Sequence, residues 1–233
     1  MKEDQKAIYY VTADSRVSAE MSPALEKASS LGYDVLFMTE PLDELTVQAI
    51  GEYGGKALTD LGKENVDFAD NEDEKAKKEE QSTETEGFRQ WLQEQLGEKR
   101  VQKVDVSNRL VGSAATLVQS TYGMSPTMAR YMRAQAVAFG EQDSTMTGSQ
   151  QAIMEINPDH PVVKALQGSY NTEPDADSTK QTALLLYDIA ALTGGYSIDD
   201  PNAFAQRVTG ILEERISGGD VDDGGVKDAE VVS

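Results

Sequence analysis

The chain has 233 residues, no cysteine, one histidine, and 41 acidic against 21 basic residues, a formal charge of −20. That balance excludes disulfides, thiolate metal sites and thiol nucleophiles, leaves little for zinc, and sets a field that repels nucleic acid and anionic lipid. At 39% hydrophobic it can bury one good core or two small ones. It holds no apolar run near the roughly 18 residues of a membrane span, and no signal core follows MKEDQKAIYY, so a soluble intracellular chain is expected, with Met1 at a fragment edge.

Ala7 to Thr12 is β-branched and aromatic and predicts a strand; Val17, Met21, Leu25 and Ala28 predict a helix over Ser15 to Ser30, closed by Gly32. Asp34 to Met38 is a second strand, continuous enough in apolar residues to be buried on both faces. A helix over Leu42 to Tyr53 follows, ended by Gly54-Gly55 before a strand at Ala57 to Leu61, and the alternation implies a small parallel α/β layer. Gly54-Gly55-Lys56-Ala57 lacks the spacing and the Ser or Thr of a phosphate loop and is taken as a turn. Asp14 with Ser15 and Glu40 with Asp43 stand at strand ends, where carboxylates can do acid–base work, but they serve equally as caps, which we prefer.

Residues 71–97 are rich in Glu, Lys and Gln, a solvated helix whose far end docks through Phe88, Trp91, Leu92 and Leu96. Val101 to Val106, Leu110-Val111, Ala115 to Gln119 and Ala152 to Ile156 predict strands of a small mixed sheet. Gly140 to Ser149 predicts a flexible loop. His160 lies in a turn between two prolines without a metal constellation, and Asp159-His160 has no nucleophile elbow to serve. Thr179 to Thr193 is apolar on nearly all sides, and after Gly194-Gly195 a helix capped by Asp199 carries Phe204, Val208, Ile211, Leu212 and Ile216 on one stripe. This pair either packs on its own sheet or joins a second copy in an isologous four-helix bundle. Ser217 to Ser233, rich in Gly and Asp, predicts a disordered acidic tail.

The stretch around which the rest is arranged is STYGMSPTMARYMRAQAVAF, Ser120 to Phe139. Ser125 as N-cap and Pro126 at the first helical position start a helix with Met128, Tyr131, Met132 and Ala136 along one stripe, extended by Met124. Three Met and a Tyr within nine residues make a soft face that can repack against different apolar partners, or simply a core-facing stripe.

STYGMSPTMARYMRAQA resembles the client-contacting helix of the heat-shock protein 90 family of ATP-dependent chaperones, and IYYVTADSR, EINPDHPVVKAL and DDPNAFAQRV support the likeness in the family's order. The resemblance implies a C-terminal fragment of bacterial or organellar type, α/β and α+β in class: residues 1–70 as the small α/β part of the middle domain, 71–97 a charged connecting helix, 98–217 a client-contact and dimerisation domain, and 218–233 a tail. It implies client contact by Met124, Met128, Tyr131 and Met132, with Leu45 standing where the family has a second, aromatic contact. It implies a homodimer held by the last helices through Leu184, Leu185, Tyr187, Ile189, Leu192, Phe204, Val208, Ile211 and Leu212. On this basis the chain is expected to be no enzyme and to hold no cofactor, with ATP and Mg²⁺ bound by a missing N-terminal domain of the parent. Stress-related folding of partly folded clients is the implied role, in a chloroplast, a mitochondrion or a bacterial cytoplasm. The ending Asp228 to Ser233 does not match the Met-Glu-Glu-Val-Asp motif that recruits tetratricopeptide co-chaperones, so those partners are not expected. The other readings are a purely structural dimerisation module, and a small α/β enzyme built on Asp14 and Glu40.

Overall fold

The computed structural model describes residues 1–2, 4–68, 71–139 and 151–218; the expected loop at Gly140 to Ser149 and nearly all of the expected tail lie outside them. Residues 1–198 form one unit and residues 199–233 a second.

In the first unit, β1 (Ile8–Thr12) lies between β2 (Val35–Met38) and β4 (Lys56–Asp60), parallel to both, and β3 (Glu52–Tyr53) pairs antiparallel with β4. Alternation along β1 separates its faces. Tyr9 and Val11 enter a core with Ala19, Leu25, Ala28, Tyr33 and Phe68, whereas Tyr10 is buried outside that cluster. The expected helix from Ser15 is broken into α1 (Arg16–Glu20), a 3₁₀ turn (Pro23–Leu25) and α2 (Glu26–Ser30). Its cause is local: Ser22 caps a fresh start by accepting from Ala24 N, and Pro23 cannot donate into a continuing ladder. α3 (Pro41–Ile50) ends at Gly51, φ 69°, and not at Gly54-Gly55, whose φ values of 61° and 76° make instead the two-residue turn of the β3–β4 hairpin.

α4 (Glu72–Glu84), capped by Asn71, buries no residue, and α5 (Glu86–Leu96) buries Phe88, Trp91, Leu92 and Leu96. The second sheet has the order β5 (Val101–Val106), β7 (Ala152–Ile156), β6 (Ala115–Val118), with β7 parallel to β5 and antiparallel to β6. A register shift between Val101 and Lys103 reconciles the odd spacing of Val101 and Val104, which both enter the core. That core also takes in Met154, Ile156, Val163 and Leu166 of α7 (Pro161–Thr172), and Ala183, Leu186, Tyr187 and Ala190 of α8 (Asp177–Thr193). Leu110 and Val111, expected in a strand, lie in the irregular connection from β5 to β6. α6 (Pro126–Ala138) follows β6 and packs on α3.

The second unit contains α9 (Pro201–Gly218). Asp200, not Asp199, accepts from Ala203 N at 3.0 Å and caps it.

Candidate functional site

Ser125 begins α6 in an extended conformation, and its Oγ accepts from Met128 N at 3.1 Å. The same hydroxyl donates to Glu44 Oε2, and Ser125 N donates to Glu44 Oε1 at 3.3 Å. Ser125 is 1% and Glu44 3% exposed, so a buried carboxylate of α3 fixes the position where α6 starts. A second anchor lies one turn on. Thr127 Oγ1 donates to Asp14 Oδ1 at 2.9 Å, and Arg130 Nη2 donates to both Asp14 oxygens at 2.5 and 2.6 Å while its Nη1 reaches Gly195 O at 2.6 Å. Burial works to raise the Asp14 pKa, but the bonds from Arg130 and Thr127 outweigh it and hold the carboxyl below the usual range. Asp14 is thereby committed to anchoring α6. At Glu40 the backbone N–H donates to Asp43 Oδ2 at 3.0 Å, a helix-start contact.

This anchoring decides which of the soft residues show. Met128 is 3% exposed: lying a turn beyond Ser125, on the anchored side of α6, it faces inward, which corrects the expectation that it is offered to a partner. Met132 is 44% exposed, Met124 and Tyr131 are half-buried, and Tyr131 Oη accepts from Gln135 Nε2 at 2.6 Å. Leu45 is 54% exposed on α3. Spacing alone passed over Leu42 and Ile50 on α3 and Val137 and Phe139 at the end of α6, all more than half exposed. Their apolar character was visible in the sequence, but the packing of α3 on α6 was not.

Of the residues expected at a dimer contact, Tyr187 is buried in the core beneath the Arg100 guanidinium, 5.9 Å from the ring centroid, and is not displayed, while Leu184 is half-buried against that core. The register of α8 turns Tyr187 inward and leaves Ile189 and Leu192 about half exposed and Leu185 half-buried. On α9, Phe204 and Val208 are half-buried, and Ile211, Leu212 and Ile216 are exposed.

A polar seam that no motif announced ties the two sheets. Arg109, wholly buried, donates to Glu155 through Nε and Nη2 at 2.8 Å each, to Lys63 O at 2.8 Å and to Leu61 O. Gln119 N donates to Gly62 O and Glu64 N to Gln119 O, both at 2.8 Å, and Lys63 Nζ donates to Gly123 O. Asp60, 4% exposed, accepts from Gly62 N at 2.7 Å, and burial pushes its carboxyl up to about 6.

Other candidate chemistry is spent on structure. Lys56 beside the glycine turn donates to Gln5 O. His160 Nδ1 accepts from Val162 N at 3.2 Å as the cap of α7, and Asp159 accepts from Lys77 and Gln81. Among the described residues no three His, Asp or Glu converge on a metal position, and no helix is long and apolar enough to cross a membrane.

The body carries a soft helix anchored by the buried Glu44 and the more exposed Asp14, with apolar residues left on its outer helices. The chain belongs to the Hsp90 family, whose model, described as Hsp90 protein, matches residues 1–232. It is 37% identical over 218 residues to heat shock protein 90-5, chloroplastic, of Arabidopsis thaliana, and 35% identical over 221 residues to heat shock protein 90-6, mitochondrial, of the same plant. Each match covers 94% of this chain and 27% of the relative, so the chain spans about a quarter of their length. The match across residues 1–232 to a family of ATP-dependent chaperones overturns two expectations, that the chain is no enzyme and that it holds no cofactor; neither exclusion stands. The Gly54-Gly55 turn itself belongs to a hairpin and its lysine is engaged with Gln5 O, so it is not a phosphate loop, and no step is derived through a nucleotide.

Proposed function

We propose that this chain is part of an ATP-dependent chaperone, which holds partly folded proteins on the joint surface of α3 and α6 and pairs with a second copy through its last helices. The observation that carries the reading is the concentration of exposed apolar side chains, Leu42, Leu45, Ile50, Met132, Val137 and Phe139, on two helices that pack on each other. An apolar client segment gains roughly 25 cal/mol per Å² removed from water, and a surface lined by Met and Leu tolerates many shapes, so binding is broad and individually weak. The exposed Ile189 and Leu192 of α8, and Ile211, Leu212 and Ile216 of α9, support an isologous pairing. The names of the two plant relatives support an organelle as the compartment.

The test is retention of a chemically unfolded reporter protein by the 233-residue chain, with Leu45→Ser, Met132→Ser and Phe139→Ser combined. The reading predicts at least tenfold weaker retention by a variant that stays folded, since the removed area is worth over 1.4 kcal/mol. Unchanged retention would favour a purely structural dimerisation module, to which the burial of Met128 already lends some support.

A further inference from the structure

The connection between β5 and β6 turns three successive backbone amides toward α2. Glu26 Oε2 accepts from Val111 N at 2.5 Å, Gly112 N at 2.7 Å and Ser113 N at 3.2 Å, while Oε1 accepts from Ser113 Oγ at 2.5 Å. Consecutive N–H groups converging on one oxygen form a concave nest, the arrangement by which backbone binds anions. Burial works to raise the Glu26 pKa, yet these four bonds hold the carboxyl below its ordinary value, so the nest favours negative charge.

The loop is held from both ends without Glu26. Ser107 Oγ accepts from Arg109 N at 3.1 Å and from Leu110 N at 3.2 Å at its start. At its end Asn157 N donates to Ala114 O at 2.9 Å and Asn157 Nδ2 donates to Ser113 O at 3.3 Å. Val111 and Gly112 are exposed, and a Cβ built on Gly112 meets nothing within 4 Å, so the loop borders open space.

We propose that the amides of Val111 to Ser113 form an anion site which Glu26 occupies from within the chain, and which takes inorganic phosphate or a phosphomonoester when that carboxylate is withdrawn. Three amides and a hydroxyl suit the several acceptor oxygens of a phosphate better than a chloride. An internal carboxylate competes at high effective concentration, and a chain of net charge −20 repels dianions, so the site is closed in the resting protein.

The experiment is a titration of the isotope-labelled full chain with inorganic phosphate at constant ionic strength, read at the amide resonances of residues 111–113. Glu26→Ala is expected to give saturable shifts at these amides in the millimolar range, at least roughly tenfold tighter than the unaltered chain. Adding Ser113→Ala should weaken that response several-fold, and chloride alone should not reproduce it. If Glu26→Ala fails to fold, Glu26→Gln, which removes the charge and keeps the length, should bind phosphate more tightly than the unaltered chain. A folded variant with no saturable shift at the three amides, or with the same response as the unaltered chain, overturns the proposal.

Discussion

Arg109 is a wholly buried cation at the joint between the two sheets. Its guanidinium gives two hydrogen bonds to Glu155 and one each to the carbonyls of Leu61 and Lys63, all out of water. Removing one partner of such a pair leaves a buried carboxylate uncompensated, so Arg109→Ala should cost about 3–5 kcal/mol in urea unfolding, and Arg109→Lys should recover only part, because an ammonium cannot reproduce the fork. Asp60 makes the opposite case. Its carboxyl is raised from 3.8 to about 6, so the folded state binds the proton more tightly than the unfolded chain. Its contribution is therefore fully present below about pH 4 and is lost as pH rises through about 6. Asp60→Asn keeps the acceptor for Gly62 N and should raise stability at pH 7 by about 2–3 kcal/mol, with little gain at pH 4; an equal gain at both pH values would remove burial as the cause. Neither residue stood out in the sequence. A lone Arg after a turn and an Asp at a strand end look like surface residues until the second sheet is laid against the first.

α6 shows what local chemistry does and does not reveal. Its start was legible, because Ser125 and Pro126 state it in two residues, and the structure begins the helix at Pro126 with Ser125 as cap. Its orientation was not legible: a stripe at helical spacing fits a buried face or a displayed one, and the deciding contact, Glu44 with Ser125, spans 81 positions. The same limit governs Tyr187, whose apolar surroundings along α8 hide which side meets the sheet. The break at Ser22-Pro23 was missed for another reason, since Val17, Met21, Leu25 and Ala28 keep a helical period across it. Two substitutions separate burial from display. Met128→Ser should cost about 2–4 kcal/mol by leaving a cavity and burying a hydroxyl, whereas Met132→Ser should change stability by less than about 0.5 kcal/mol and act on client retention alone. Ser125→Ala removes the cap and strips Glu44 of its hydroxyl partner. It should cost about 1–2 kcal/mol, with faster amide exchange in the first turn of α6 than in α5 as the local readout.

At the scale of the whole molecule, a parallel α/β layer and a mixed sheet were anticipated from strand and helix alternation, while the antiparallel β3 on the first sheet and the means by which the two layers are joined were not. The assembly reading makes a numerical demand. Sedimentation equilibrium should give about twice the 25.3 kDa chain mass, and Leu192→Asp with Ile211→Asp should return the mass of one chain without loss of helix signal. A single-chain mass at all concentrations would remove the pairing and leave the α3–α6 surface to be tested by itself. The joint between the sheets has a consequence of a different kind. Apart from the packing of α6 on α3, the two apolar cores share no residue and the ties across the seam between the sheets are hydrogen bonds and ion pairs, Arg109 and Glu26 among them. Parting the sheets would thus uncover peptide and charged groups more than hydrocarbon, and such exposure lowers heat capacity where unfolding of a core raises it. In a calorimeter the joint would open as a shallow step with little curvature, ahead of the steep, strongly curved transition in which the cores themselves melt.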